Sequence, residues 1–286
     1  MQLKEHRISI SERQCANFAA GIGDINPVYY DDEQPSGALI HPVLATSLTW
    51  QVAGRIWDFL PESDFPTHLL MTQVHYSEHL QLHSTLRPGM ILSLQGSIAA
   101  IQSHRAGTLV NLCFLATGAS GEKVFTEYVG GLLRGVSCAG SGAGGENLPV
   151  IPTQKETRSE PEWTDTITLS ELAPYVYDAC ADVHFPIHTS PRFAHQVGLP
   201  GVIVQGSQIL ARAVSLLLQR QAGGDPRHIS TLACRFAGMV RPGENLQLRL
   251  WTEQPAMNEA HLFFDVQKPD GEAVIRAGYC RLLKAE

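Results

Sequence analysis

The sequence predicts an α+β fold built from two tandem copies of one unit, each a long apolar helix enclosed by an antiparallel sheet. Three observations predict it. A stretch rich in Gly, Ser and Pro, CAGSGAGGENLPVIPTQKETRSEPE at residues 138–162, divides the 286 residues nearly in half. On both sides of it the same signals follow in the same order: helix, Asp-Pro turn, long apolar helix, alternating strands. The triplet Arg-Pro-Gly recurs at Arg87 and Arg241, at the same place in each series. Three segments result: a first unit over 1–137, a linker over 138–162 and a second unit over 163–286.

Each unit opens on a helix with a capping-box pattern, Ser11 with Gln14 and Thr168 with Glu171, in which side chains satisfy terminal N–H groups. The helices run into turns that hold an Asp shortly before a Pro. These are GIGDINPVYYDD around Asp24 and Pro27, and ACADVHFPIHTSP around Asp182 and Pro186. A long helix follows. In the second unit it is GSQILARAVSLLLQRQ from Gly206, where Ile209, Leu210, Ala213, Val214, Leu216, Leu217 and Leu218 cover most of the circumference and predict burial nearly all round. Its counterpart, HPVLATSLTWQVAGRIWDFL at 41–60, is as apolar, with Gly54 its weakest helical position. Only strand signals come after. Short alternating runs broken by Gly or by Pro-Asp-Gly occupy 86–100 and 109–135 in one unit and 240–253 and 261–283 in the other. A helix that is apolar all round, followed by about four antiparallel strands, packs most economically with the sheet curled around it, the hot-dog arrangement. Two copies predict a double hot dog whose sheets pair edge to edge and so hide strand edges.

Composition excludes several classes of function. Apolar residues make up 44% and charged residues 17%, as in a packed chain rather than a disordered one. The net charge of -7, with no basic run, argues against nucleic acid as a partner. No apolar stretch of about 18 residues predicts a membrane span, and the start, MQLKEHRISI, has no signal-peptide apolar region. The six cysteines are scattered without a C-x-x-C pair, which predicts reduced thiols and a cytoplasmic location. His75, His79 and His83 recur every four residues, but VHYSEHLQLHS reads as a strand, and strand spacing spreads them too far for one metal ion. Gly21-Ile22-Gly23 follows a helix rather than a strand, so it is not a dinucleotide-binding turn. Neither a G-x-S-x-G elbow nor a P-loop is present.

The stretch from Ala181 through Asp182, Pro186, His188, Phe193, Ala194, Gly198 and Pro200 to Gly206, with CRFAGMVRPGENLQL further on, resembles the hydratase signature of the MaoC-like enzymes. These include the (R)-specific enoyl-CoA hydratases and the related FAS1-like dehydratases. The first half is similar to their N-terminal dehydratase half. The resemblance implies reversible hydration of a 2-enoyl thioester to a (3R)-hydroxyacyl thioester, without cofactor or metal, in which Asp182 and His188 hold and activate one water. It also implies that the Gly206 N–H, at a helix start, stabilises the developing oxyanion. That chemistry suits the residues. Imidazole and carboxylate can exchange protons near neutral pH, and a helix N-terminus favours negative charge.

The chain departs from the signature at four places. Asp182 lies six residues before His188 rather than five, Phe185 replaces an Asn, Gln205 replaces a His, and in the first half Tyr29 stands where His188 would be. The first half, which keeps Asp24 and Asn26, is therefore expected to shape the acyl tunnel. Arg235 or Arg241 is the expected contact for nucleotide phosphates. The expected partners are an acyl-CoA or acyl carrier protein thioester and a second copy in a homodimer, with no membrane. The rival readings are a hot-dog acyl-CoA thioesterase and a non-catalytic acyl-thioester-binding subunit.

Overall fold

A computed structural model describes residues 1–35, 37–60, 67–154 and 160–283. The first half runs β1 (His6–Ser9), α1 (Glu12–Gly21), α2 (Leu44–Ala53), α3 (Ile56–Phe59), β2 (Gln73–Leu82), β3 (Ile91–His104), β4 (Gly107–Thr117) and β5 (Lys123–Arg134). A two-residue β6 (Gly142–Ala143) follows. The second half runs β7 (Trp163–Thr168), α4 (Ala173–Ala181), α5 (Pro191–Gln196), α6 (Gly206–Ala222), β8 (Ile229–Phe236), β9 (Asn245–Ala256), β10 (Glu259–Gln267) and β11 (Ala273–Leu283).

The repeat predicted from signal order is the repeat of the topology. Strand order is β1-β3-β4-β5-β2 in one half and, read inward from the other edge, β7-β9-β10-β11-β8. β2 and β8 join the halves antiparallel, with Ser77 opposite Arg235 and Gln81 opposite Thr231, so the pairing edge of each half is used up by the other. The resulting sheet wraps α6, whose Ile209, Leu210, Val214 and Leu217 are fully buried, and α2, whose Leu44 and Leu48 are too; a single apolar core runs through both halves. No helix among the described residues is long and apolar enough to cross a membrane.

Local signals hold in part. The Ser11 Oγ accepts from the Gln14 N–H at 3.1 Å, as its capping box predicts. The Thr168 and Glu171 box does not form. Thr168 is the last residue of β7, opposite Asn245, and α4 begins only at Ala173, with Pro174 in its first turn, where a missing N–H is harmless. Both halves thus open on a short strand rather than a helix. The 41–60 stretch is two helices instead of one, because the chain breaks after Ala53 at Gly54 and Arg55. The ends of the 138–162 segment lie against the sheet: β6 pairs with Ile101 and Gln102, and the Trp251 indole N–H donates to the Glu160 carbonyl at 2.9 Å.

Two further contacts fix how the halves meet. α1 crosses α4 so closely at Gly21 that an added Cβ would lie 2.5 Å from the Cys180 Cβ. The turn after α1 is held by α6: an Arg212 Nη1–H donates to the Ile22 carbonyl at 2.6 Å, and the Asn26 amide donates to the Gly224 carbonyl at 2.9 Å.

Candidate active site

A cavity of about 1330 Å³ opens between the halves, bounded by α2, β2 and β5 on one side and by α4, the 183–189 turn, the start of α6 and β8 on the other. His188, Gly206 and Asp178 line it; Asp182 does not. Of the sequence-predicted residues, the structure therefore brings two together and leaves one outside.

His188 closes a short 3₁₀ turn that starts at Pro186. Its Nδ1 lies 2.8 Å from the Ile203 carbonyl, which can only accept, so Nδ1 carries the proton and Nε2 is the basic nitrogen. Burial pushes the ring down to about 4, with the Asp178 charge acting in the opposite direction, so His188 is neutral near pH 7.

Asp182 lies outside the cavity and faces solvent. Its backbone is left-handed (φ 56), its side chain is 61% exposed, and its Oδ1 lies 2.7 Å from the outer nitrogen of His184. Comparison with the first half explains this. Gly23 (φ 68) is left-handed four residues before Pro27, as Asp182 is four residues before Pro186. The turns therefore superpose as Gly23 on Asp182 and Asp24 on Val183, without an extra residue. Asp24 points inward, is buried, and accepts from the Asn26 N–H at 2.9 Å; Val183 is its buried counterpart. The inward carboxylate of the second half comes instead from Asp178, one turn earlier on the same face of α4. Its Oδ2 lies 2.6 Å from His184 Nδ1, and its Oδ1 is buried with no donor among the described residues. Both His184 nitrogens face carboxylates, and the Asp178 hydrogen bond is the main cause that raises its affinity for a proton. Sequence reading passed over Asp178 because it lies outside the signature; its four-residue spacing to Asp182 on a helix was the available signal.

Gly206 is the first residue of α6, whose preceding Gln205 gives no side-chain cap. Its N–H meets no acceptor among the described residues, and its missing side chain leaves room for the Phe236 ring, whose Cδ1 would lie 2.9 Å from an added Cβ. A first-turn N–H at the positive end of a seventeen-residue helix favours an anion in the cavity.

In the first half, Tyr29 occupies the place of His188, buried and with its hydroxyl unpartnered among the described residues. Asn26 caps the turn, its Oδ1 accepting from the Val28 N–H at 3.3 Å. Of the two arginines singled out for phosphates, Arg235 lines the cavity together with Arg105, Arg134 and Arg276, whereas Arg241 does not. The three histidines of β2 are dispersed: His75 faces the cavity, His79 packs on Tyr128, and His83 Nε2 lies 2.9 Å from the Thr126 hydroxyl.

Comparison with known proteins agrees with this architecture. Residues 1–127 match the model of the FAS1-like dehydratase domain region, and residues 152–268 match that of the MaoC like domain. The chain is 23% identical to the peroxisomal enoyl-CoA hydratase 2 of Arabidopsis thaliana over 266 residues, 88% of this chain and 85% of that protein. It is 26% identical to the peroxisomal multifunctional enzyme type 2 of Drosophila melanogaster over 99% of this chain but only 47% of that longer protein. The crystal structure of a MaoC-like dehydratase from Phytophthora capsici shares its fold, with a TM-score of 0.82 at 20% identity over 99% of this chain and 96% of that one. With one family model on each half, in the order the repeat predicts, the chain belongs to the MaoC-like dehydratases, its first half being of the FAS1-like kind.

Proposed function

We propose that the protein reversibly hydrates a 2-enoyl thioester of coenzyme A to the (3R)-hydroxyacyl thioester, with His188 as base, Asp178 as its carboxylate partner and the Gly206 N–H as oxyanion donor. The single observation that carries this reading is the fixed orientation of His188: the Ile203 carbonyl holds its Nδ1 proton and leaves Nε2 basic in a cavity shared with Gly206 and Asp178.

His188 Nε2 takes a proton from water while the hydroxyl bonds to the β-carbon. The π electrons move toward the thioester carbonyl, and the oxyanion is met by the Gly206 N–H and the dipole of α6; the α-carbon then gains a proton. Removing one oxyanion donor of this kind costs about 3 kcal/mol of barrier. The buried Oδ1 of Asp178, without a protein donor, suits it to accept from the reacting water. Arg105, Arg134, Arg235 and Arg276 offer positive charge to the nucleotide phosphates. The first half provides the apolar wall for the acyl chain, including Trp50, Leu70 and Val129. The domain division at 1–137, 138–162 and 163–286, a homodimer and a reducing compartment complete the reading.

The test is the loss of ultraviolet absorbance of a conjugated trans-2-enoyl-CoA, run with the native chain and with His188→Ala, Asp178→Asn and Asp182→Asn. Hydration abolished in the first, strongly reduced in the second and retained in the third supports the assignment. Val183 in the place of an inward Asp favours a second reading, a subunit that binds acyl thioesters without converting them; tight binding with unchanged absorbance at every chain length would establish it.

A further inference from the structure

The first half gives the cavity more than apolar wall. His75 and Glu78 are three residues apart on β2, a spacing that places side chains on opposite faces of a regular strand. Here Tyr76 is an extra residue between the pairs His75–Gly131 and Ser77–Gly130, and this bulge turns both side chains inward. His75 Nε2 lies 3.1 Å from the Ser77 carbonyl and 3.2 Å from Glu78 Oε2. Glu127 of β5, opposite Leu80, faces the same way. Glu78 and Glu127 are 1% and 0% exposed, yet both line the cavity.

Among the described residues no donor makes a hydrogen bond to the oxygens of these two carboxyls, although His75 approaches Glu78 and the Thr49 hydroxyl approaches Glu127. The carboxyls lie within hydrogen-bonding range of each other. Ionised carboxylates only accept, so the pair coheres when a proton sits on one of them. Burial drives both upward, Glu78 to about 8 and Glu127 well above the usual carboxylate range. The other groups facing Glu78 are uncharged: burial keeps Cys234 of β8 and Tyr177 of α4 protonated and pushes His75 down to about 4. Buried carboxyls without donors destabilise a fold, and their presence in a cavity wall calls for a use.

The cluster is near the reacting groups. The His75 and Phe236 rings are 4.4 Å apart, and Phe236 packs against Gly206. His75 also acts electrostatically on His188.

We propose that Glu78, sharing its proton with Glu127 and linked to the cavity by His75, supplies the proton that the α-carbon receives, so that the two halves build one reaction site. This rests on the proposed hydration and names the acid that works with its base. His188 takes one proton from water as the C–O bond forms at the β-carbon. Glu78 then gives its proton to the α-carbon. The proton on His188 passes to His75 Nδ1, the Nε2 proton of His75 passes to Glu78, and exchange of the ring proton with cavity water returns His75 from its Nδ1–H to its Nε2–H tautomer, so that every group is restored. The net change is addition of one water, with no oxidant or other reactant.

The experiment measures kcat and KM for a trans-2-enoyl-CoA between about pH 5 and pH 10 in the native chain, Glu78→Gln and Glu127→Gln, with the infrared carbonyl stretch of protonated carboxyls recorded for each. The native kcat should fall on the alkaline side as Glu78 ionises. Glu78→Gln should lower kcat by about 10²-fold or more with KM nearly unchanged, lose the alkaline limb and weaken the infrared band to what Glu127 contributes. Glu127→Gln should retain more turnover and shift the limb to higher pH, because the carboxyl hydrogen bond that favours ionised Glu78 is lost. A folded Glu78→Gln with native kcat and an unchanged alkaline limb would overturn the inference alone, as would a native chain that hydrates but shows no protonated-carboxyl band. A native chain that hydrates no enoyl thioester would overturn the reaction and this inference with it.

Discussion

Replacing Asp182 by Gly separates the turn's role in folding from the site's role in chemistry. A non-glycine residue at φ 56 costs about 1 kcal/mol relative to Gly, and the substitution recovers that strain. It removes an ion pair with His184 whose side chains are 61% and 64% exposed, which is worth about 0.5 kcal/mol at such a surface. It also loosens the unfolded chain, at about 0.5 kcal/mol. The three contributions nearly cancel. Stability should change by less than about 0.5 kcal/mol, or about 1–2 °C in Tm for a chain of this size. His184 keeps its 2.6 Å contact with Asp178, so the inward carboxylate stays in place and kcat/KM should remain within about twofold of native. Loss of a group that transfers protons in the reaction would cost about 10²–10⁴-fold. Thermal melting and the enoyl-CoA absorbance assay on the same preparation read both quantities. A 100-fold fall in kcat at native Tm would place Asp182 in the chemistry and refute the reasoning; destabilisation beyond about 2 kcal/mol would refute the backbone argument.

Further outcomes follow from the same geometry. Gly206→Ala places a Cβ 2.9 Å from the Phe236 ring, so the ring must shift; we expect about 1–3 kcal/mol of destabilisation by melting and a fall in kcat as the oxyanion donor moves. Leu210→Ala empties the buried centre of α6 and should cost about 2–5 kcal/mol, read as a Tm lower by about 5–15 °C. His41, His75 and His188 have folded values near 4 against 6.5 in the unfolded chain, so the unfolded chain takes up protons first. Their contribution is fully present above about pH 6.5 and is lost as pH falls toward 4. Tm should drop across that window, and His188→Gln should flatten part of the slope.

How far the site could be read from sequence varies residue by residue. The placement of His188 and Gly206 on the cavity was legible because each depends on local context, a 3₁₀ turn after Pro186 and a helix start after Gln205. Asp182 was misplaced because a count along the chain carries no backbone dihedral. One left-handed residue decides whether a carboxylate faces the cavity or solvent, and Gly23 marks the same position in the other half. Glu78 was invisible for a similar reason. Period-two reasoning sets it on the face opposite His75, and only the bulge at Tyr76 reverses that.

The sequence by itself determined the tandem repeat, the long apolar helix followed by antiparallel strands in each half, the burial of α6 nearly all round and the family. These follow from hydrophobic periodicity, turn residues and motif order, which act over a few residues at a time. Tertiary structure alone decided that β2 pairs with β8, that Asp178 rather than Asp182 stands with His188, and that Glu78 and Glu127 from the first half face the cavity of the second. Each of these depends on which distant segments come into contact and on the backbone angle at one turn or bulge. Such choices are made by the packing of the whole core and are not written in any local stretch.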